Sequence, residues 1–456
     1  MTKFLSLAVM CSLAIPAMAF AQETGAPEAP KQAADDLDKE YEGETPAEPA
    51  EPGEPPPKEA EMKMPEPPKM AADDIAAEEP AEGRPFLDGL SWQLLASAFY
   101  RISGYTNDGV RAGTYNNLLD PSVPAGYPYV NYHGFGLAFA GGDVMYTGEK
   151  FAVRLDLRWG TGAPLLTPIA PVKQAYAAWL PHEKISIDVG FFDTIYGAEV
   201  VDEWNNANYS RGALYFLRQP FNHAGLRFGA ELGQIVGMTF MVTNGGVYGG
   251  TAIDDNEVPA LGWQFGLSPD GHNSVRRRGL REGYREVGLF FGGNHAPNGA
   301  NGNKDYDHFF DVVLSLNFDW FTLLFNGDYH IDGHSTDPAN NSNEFDYGHS
   351  LALIFDVADQ WSIGVRGEHL SGNTNYRNTI GSDIGGLGTA TLTIRYKPVE
   401  YLVISLEGRG EWAQREVYFS RSATTVIDPV TMEEVLVPNK GHNYAAILGV
   451  TAHIGN

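Results

Sequence analysis

A single cysteine, Cys11, serves a chain of 456 residues, and basic side chains number 31 against 58 acidic ones. Each shortage excludes something. Cys11 lies in a segment that reads as a leader, so the mature chain is expected to hold no disulfide and no thiol nucleophile, as suits an oxidising envelope compartment. The formal net charge of −27 leaves no expectation of a nucleic-acid partner. Beyond the leader no run of about 18 apolar residues occurs, so helical membrane spans are not expected. Catalytic patterns are missing too. There is no helical zinc motif, no Gly-x-Ser-x-Gly elbow and no phosphate-cradling glycine loop. Asp254 to Glu257 lacks the glycine and distant glutamate of a calcium loop and reads as an exposed acidic loop. We expect neither enzyme activity, nor a cofactor, nor a metal. The mean hydropathy of −0.25 would by itself describe a soluble protein.

Two segments precede the main body. Residues 1–21 have the form of a secretory signal: Lys3, an apolar stretch from Phe4 to Ile15, Pro16, and the small-x-small site Ala19-Phe20-Ala21. Residues 22–85 alternate proline and glutamate and carry about 19 acidic and 6 basic side chains. Such a chain cannot bury enough apolar surface to offset its ordering entropy, so a disordered periplasmic segment is expected, a solubilising leader or a spacer touching the cell wall or a periplasmic partner.

What fills residues 86–456 is a period of two. In Phe151 to Trp159, the apolar Phe151, Val153, Leu155, Leu157 and Trp159 fall on one face and Arg154, Asp156 and Arg158 on the other. The same alternation recurs through Val312 to Phe318 and Leu402 to Arg409. About 16 such segments can be placed, near residues 90–103, 134–147, 150–160, 172–180, 184–193, 222–232, 235–244, 259–268, 284–293, 307–319, 321–331, 345–357, 361–370, 386–397, 401–412 and 442–454. Tight joins follow the even-numbered segments and long joins the odd ones. An apolar outer face requires lipid, and lipid tolerates only a closed sheet, so the fold expected is all-β: a closed antiparallel transmembrane β-barrel of about 16 strands in a bacterial outer membrane. The join 269–283 breaks the rule. It should be short, but is long and basic, which marks either a misplaced strand or a turn with a task. Trp92, Trp159, Trp179, Trp320, Trp361, Tyr396, Tyr401 and Trp412 sit near segment ends, as headgroup girdles do.

Sixteen strands leave an aqueous lumen, whereas eight are filled by side chains. The join after the fifth strand, about residues 194–221, is among the longest and richest in charge, and by analogy with general porins is expected to fold inward as the constriction. Its Glu199, Asp202 and Glu203 are the candidate constriction residues, favouring cations. Arg154, Asp156, Arg158, Arg227, Arg366, Arg395 and Arg409 are candidate pore-lining residues, the arginines forming an opposing basic ladder. On alternation alone, Leu155→Arg should damage assembly and Asp156→Asn should not.

Gly190 to Glu199, Asn208 to Arg211, Pro220 to Arg227 and Val242 to Gly245 resemble the porin-2 family of OmpL-like outer-membrane barrels, and the resemblance spans roughly residues 90–456. It implies a barrel and a pore. Passive diffusion of small hydrophilic solutes is therefore the expected function, with outer-membrane lipid and the solutes themselves as partners and oligomerisation open. A substrate-specific channel is the alternative, and an outer-membrane barrel enzyme the distant one.

Overall fold

The computed structural model describes residues 89–103, 134–160, 162–163, 169, 171–233, 235–247, 258–268, 287–298, 305–318, 320–332, 344–371, 386–414, 416, 425–427, 434–436 and 440–455. The leader and the acidic segment lie outside them, as do Asp254 to Glu257 and the join 269–283. Sixteen strands close into one antiparallel barrel. They are β1 (Leu90–Ser103), β2 (Gly134–Thr147), β3 (Phe151–Trp159), β4 (Val172–His182), β5 (Ile185–Asp193), β6 (Asn222–Leu232), β7 (Val236–Thr243), β8 (Ala260–Leu267), β9 (Gly288–Asn298), β10 (Asp305–Phe318), β11 (Phe321–Asp332), β12 (Glu344–Ala358), β13 (Trp361–Ser371), β14 (Leu387–Val399), β15 (Leu402–Ala413) and β18 (His442–Gly455). Each pairs with its neighbours in sequence, and β1 meets β18 from Gln93 opposite Gly455 to Ser103 opposite Ala445, which removes the free edges. Between β15 and β18 lies a separate two-stranded pair, β16 (Thr425–Ile427) and β17 (Glu434–Leu436), that the alternation does not announce.

The outer face is apolar because every second side chain is. Along β3 exposure alternates residue by residue: Phe151, Val153, Leu155 and Trp159 are exposed, while Ala152, Arg154, Asp156 and Arg158 are buried. Trp179, Trp320, Trp361, Tyr401 and Trp412 also stand on the outside, with Trp361 stacked on Tyr396 at 4.5 Å between ring centres. No helix among the described residues is long and apolar enough to cross a membrane.

β8 pairs directly with β9, from Leu261 opposite His295 to Leu267 opposite Leu289, so no strand is missing at the irregular join. β9 does begin and end later than the pattern suggests. Pro297 looks like a strand breaker, yet it falls at the strand's end opposite Tyr306, where a missing donor is tolerated.

Candidate functional site

The join between β5 and β6, residues 194–221, turns into the barrel. Nearly all of it is buried, including a turn of 3-10 helix (Glu203–Asn205) and the short helix α1 (Ala213–Leu217). Its burial against lumen-facing side chains fixes its place. Ala198 N–H donates to Asn326 Oδ1 on β11 (3.0 Å), Tyr196 Oη to the Gly293 carbonyl on β9 (2.6 Å) and Asn208 Nδ2 to Thr393 Oγ1 on β14 (2.8 Å). Thr451 on β18 donates to Glu203 Oε1 (2.7 Å). The segment therefore spans the lumen.

Two wall carboxylates hold its backbone. Glu407 on β15 accepts the N–H groups of Tyr209 (2.7 Å) and Ser210 (3.1 Å), and Glu368 on β13 accepts those of Ala213 (2.9 Å) and Leu214 (3.0 Å) at the start of α1. Bonds to a carboxylate are about twice as strong as neutral ones. Glycine makes the approach possible. A Cβ on Gly364 would stand 2.1 Å from the Ala207 carbonyl oxygen, and one on Gly212 would stand 2.1 Å from Glu368 Oε1.

The lumen is not uniformly polar, which corrects the expectation from alternation. Trp204, Tyr209, Leu214, Phe216 and Leu217 pack with the inward-facing Leu95, Phe99, Leu370, Leu387, Val403 and Ile447. Burying each large apolar side chain contributes roughly 1.5–3 kcal/mol, so this side of the lumen is filled by the join as a small core would be.

Glu199, Asp202 and Glu203 all lie on the join, and each meets a cation. Glu199 pairs with Arg366 at 2.5 Å; Asp202 pairs with Arg158 at 3.0 Å and Lys173 at 2.9 Å; Glu203 lies 3.7 Å from Arg211. Asp202 and Glu203 are only 6% and 1% exposed, so the three form no bare acidic rim. Burial raises the Glu199 carboxyl above the ordinary carboxylate range; Arg366 pulls it back, and Glu368, which shares that guanidinium, pushes it up. Burial acts the same way on Asp202, but Arg158 and Lys173 outweigh it and hold that carboxyl well below its usual value.

All seven residues of the proposed lining point inward, and most are covered. Arg158 is bridged between Asp143 (2.5 Å) and Asp202, Arg154 and Asp156 bind each other at 2.9 Å, and Arg409 binds Glu411 at 2.6 Å. Arg395 donates to the Asn206 and Glu203 carbonyls. Arg227 alone of the seven belongs neither to the covered group nor to a closed network: its side chain is 16% exposed and its Nε binds Asp188 at 2.9 Å. Lys173, Asp143, Asp193 and Thr239, which the pattern of the sequence did not single out, join Arg154 and Arg227 around a cavity of about 90 Å³ between the join and the β1–β7 wall. Asp143 lies among glycines and alanines in β2, where its inward register was the one available signal.

Residues 100–435 match the family described as "Putative beta-barrel porin-2, OmpL-like". The chain belongs to this family. It is an outer-membrane porin, a channel for passive diffusion. Among solved structures the porin's fold is similar to the anion-selective porin from Comamonas acidovorans (8% identity, 80% of this chain and 99% of that one, TM-score 0.51). Others are the outer membrane channel DcaP of Acinetobacter baumannii (9%, 80% and 96%, 0.48) and OmpT of Vibrio cholerae (12%, 80% and 97%, 0.46). No curated protein sequence matches the porin.

Proposed function

We propose that the join 194–221 sets the bore of the porin, and that solutes pass through the opening left between it and the β1–β7 wall. The supporting observation is the double attachment of the join to the far wall, by Glu368 and Glu407, with the cavity bordered by Arg154 and Arg227 on the near side. On this reading Asp202 fixes the join through Arg158 and Lys173 and Glu199 is neutralised by Arg366, so neither presents bare charge to ions, and Arg154 and Arg227 line the path. With the three acids each beside a cation, the passage is one of mixed charge. Residues 1–21 direct export, and 22–85 act as an acidic periplasmic leader.

Deleting residues 199–217 tests the reading. Swelling of liposomes containing the shortened porin should admit larger sugars than the parent admits. An unchanged size limit would remove the join from the bore.

A further inference from the structure

Arg227 differs from the other inward arginines in how its nitrogens are used. Its Nε donates to Asp188 Oδ2, directly across the β5–β6 register. Its guanidinium carbon lies 4.3 Å from the centre of the Phe192 ring and 5.4 Å from that of Tyr176. The aromatic faces and the Asp188 bond together fix the plane and the direction of the group. Among the described residues no carboxylate or carbonyl takes up Nη1 or Nη2, and the side chain borders the cavity beside Thr239 and Gln174. A fixed planar fork with two unspent donors matches the two oxygens of a carboxylate or phosphate. Asp188 offsets much of the formal charge, which keeps binding weak enough for a permeating solute to leave.

We propose that Arg227 is an oxyanion fork, through which the porin favours small carboxylate- or phosphate-bearing solutes over monatomic anions. This rests on the reading that the cavity carries the solute. Guanidinium geometry, and not charge alone, does the selecting, so a lysine at this position retains the charge but loses the fork.

The test uses the full-length porin in planar bilayers, with potassium acetate or inorganic phosphate added to one side of a chloride solution. In the parent both anions should interrupt the chloride current. Arg227→Gln, and the charge-balanced Arg227→Gln/Asp188→Asn variant that leaves no buried acid unpaired, should each weaken that block roughly tenfold, and Arg227→Lys should weaken it too. Block by one anion alone assigns the fork to that oxyanion and supports the proposal. Equal block in parent and variants overturns it, as does a parent in which acetate and phosphate behave as chloride does. A separate arm isolates the underlying reading: with Cys11→Ser in place, Thr239→Cys treated with a bulky thiol reagent should lose conductance. Unchanged conductance there refutes the cavity as the path, whereas lost conductance with unaltered block refutes the fork alone.

Discussion

Glu368→Gln should loosen the join more than Glu407→Gln does, although both replace a carboxylate by its amide. At Glu368 the two oxygens are divided: Oε2 accepts the Ala213 N–H and Oε1 the Leu214 N–H. A glutamine must set its own NH2 against one of these donors, whichever way it turns. At Glu407 the Tyr209 N–H and the Thr393 hydroxyl both use Oε2, and Oε1 takes only a long 3.3 Å contact from Ser210. Glutamine can keep its oxygen at Oε2 and lose little beyond the charge. A hydrogen bond to a charged group contributes about 1.5–3 kcal/mol, so Glu368→Gln should raise the released population of the join by about 10- to 150-fold. Single-channel recordings should show larger or noisier openings for Glu368→Gln, with Glu407→Gln between it and the parent. Identical traces for Glu368→Gln and parent, or a larger effect at Glu407, would refute the attachment.

The same structure makes other demands. Leu155→Arg faces lipid mid-strand and should cost assembly about 2–4 kcal/mol, read as the shift in urea midpoint for folding into liposomes. Asp156→Asn, expected from alternation to be neutral, should also destabilise, because Asp156 accepts bonds from Arg154 (2.9 Å) and Gln174 (2.7 Å) in full burial; Arg154→Gln added to it should restore most of the loss. Gly364→Ala meets backbone rather than a pliable side chain and should displace the join, raising conductance without reducing the yield of folded barrel. Docking raises the pKa of Glu199, so it is favoured as pH falls through that raised value. Asp202 opposes it only below the ordinary carboxylate pKa of about 3.9, where its depressed group takes a proton. Conductance should therefore fall in mild acid and recover in stronger acid, and Glu199→Gln should abolish the fall.

The barrel was legible because lipid imposes a period of two that side chains must obey. Phe151 to Trp159 or Val312 to Phe318 state their inner and outer faces without reference to any partner strand. The join's entry into the lumen was expected only by analogy with general porins, its length and charge marking which join the analogy fits. Its chemistry was not legible. That Glu199 meets Arg366, or Asp202 meets Arg158 and Lys173, depends on closure of the barrel and on a segment crossing it, so local spacing holds no trace of the pairings. Likewise Leu95 and Phe99 look lipid-facing by type, but face inward and belong to the apolar cluster that the join's Trp204 and Leu214 complete. Alternation reports which residues share a face; what fills the space between faces comes from contacts distant in sequence.

The central claim is a water-filled channel narrowed by residues 194–221, and the most direct measurement is single-channel conductance of the purified porin in planar bilayers. The parent should insert with discrete, reproducible conductance steps, and removal of residues 199–217 should enlarge them. A barrel that runs as folded on a heat-modifiability gel yet leaves the bilayer silent, or whose steps are the same with and without the join, would contradict the claim.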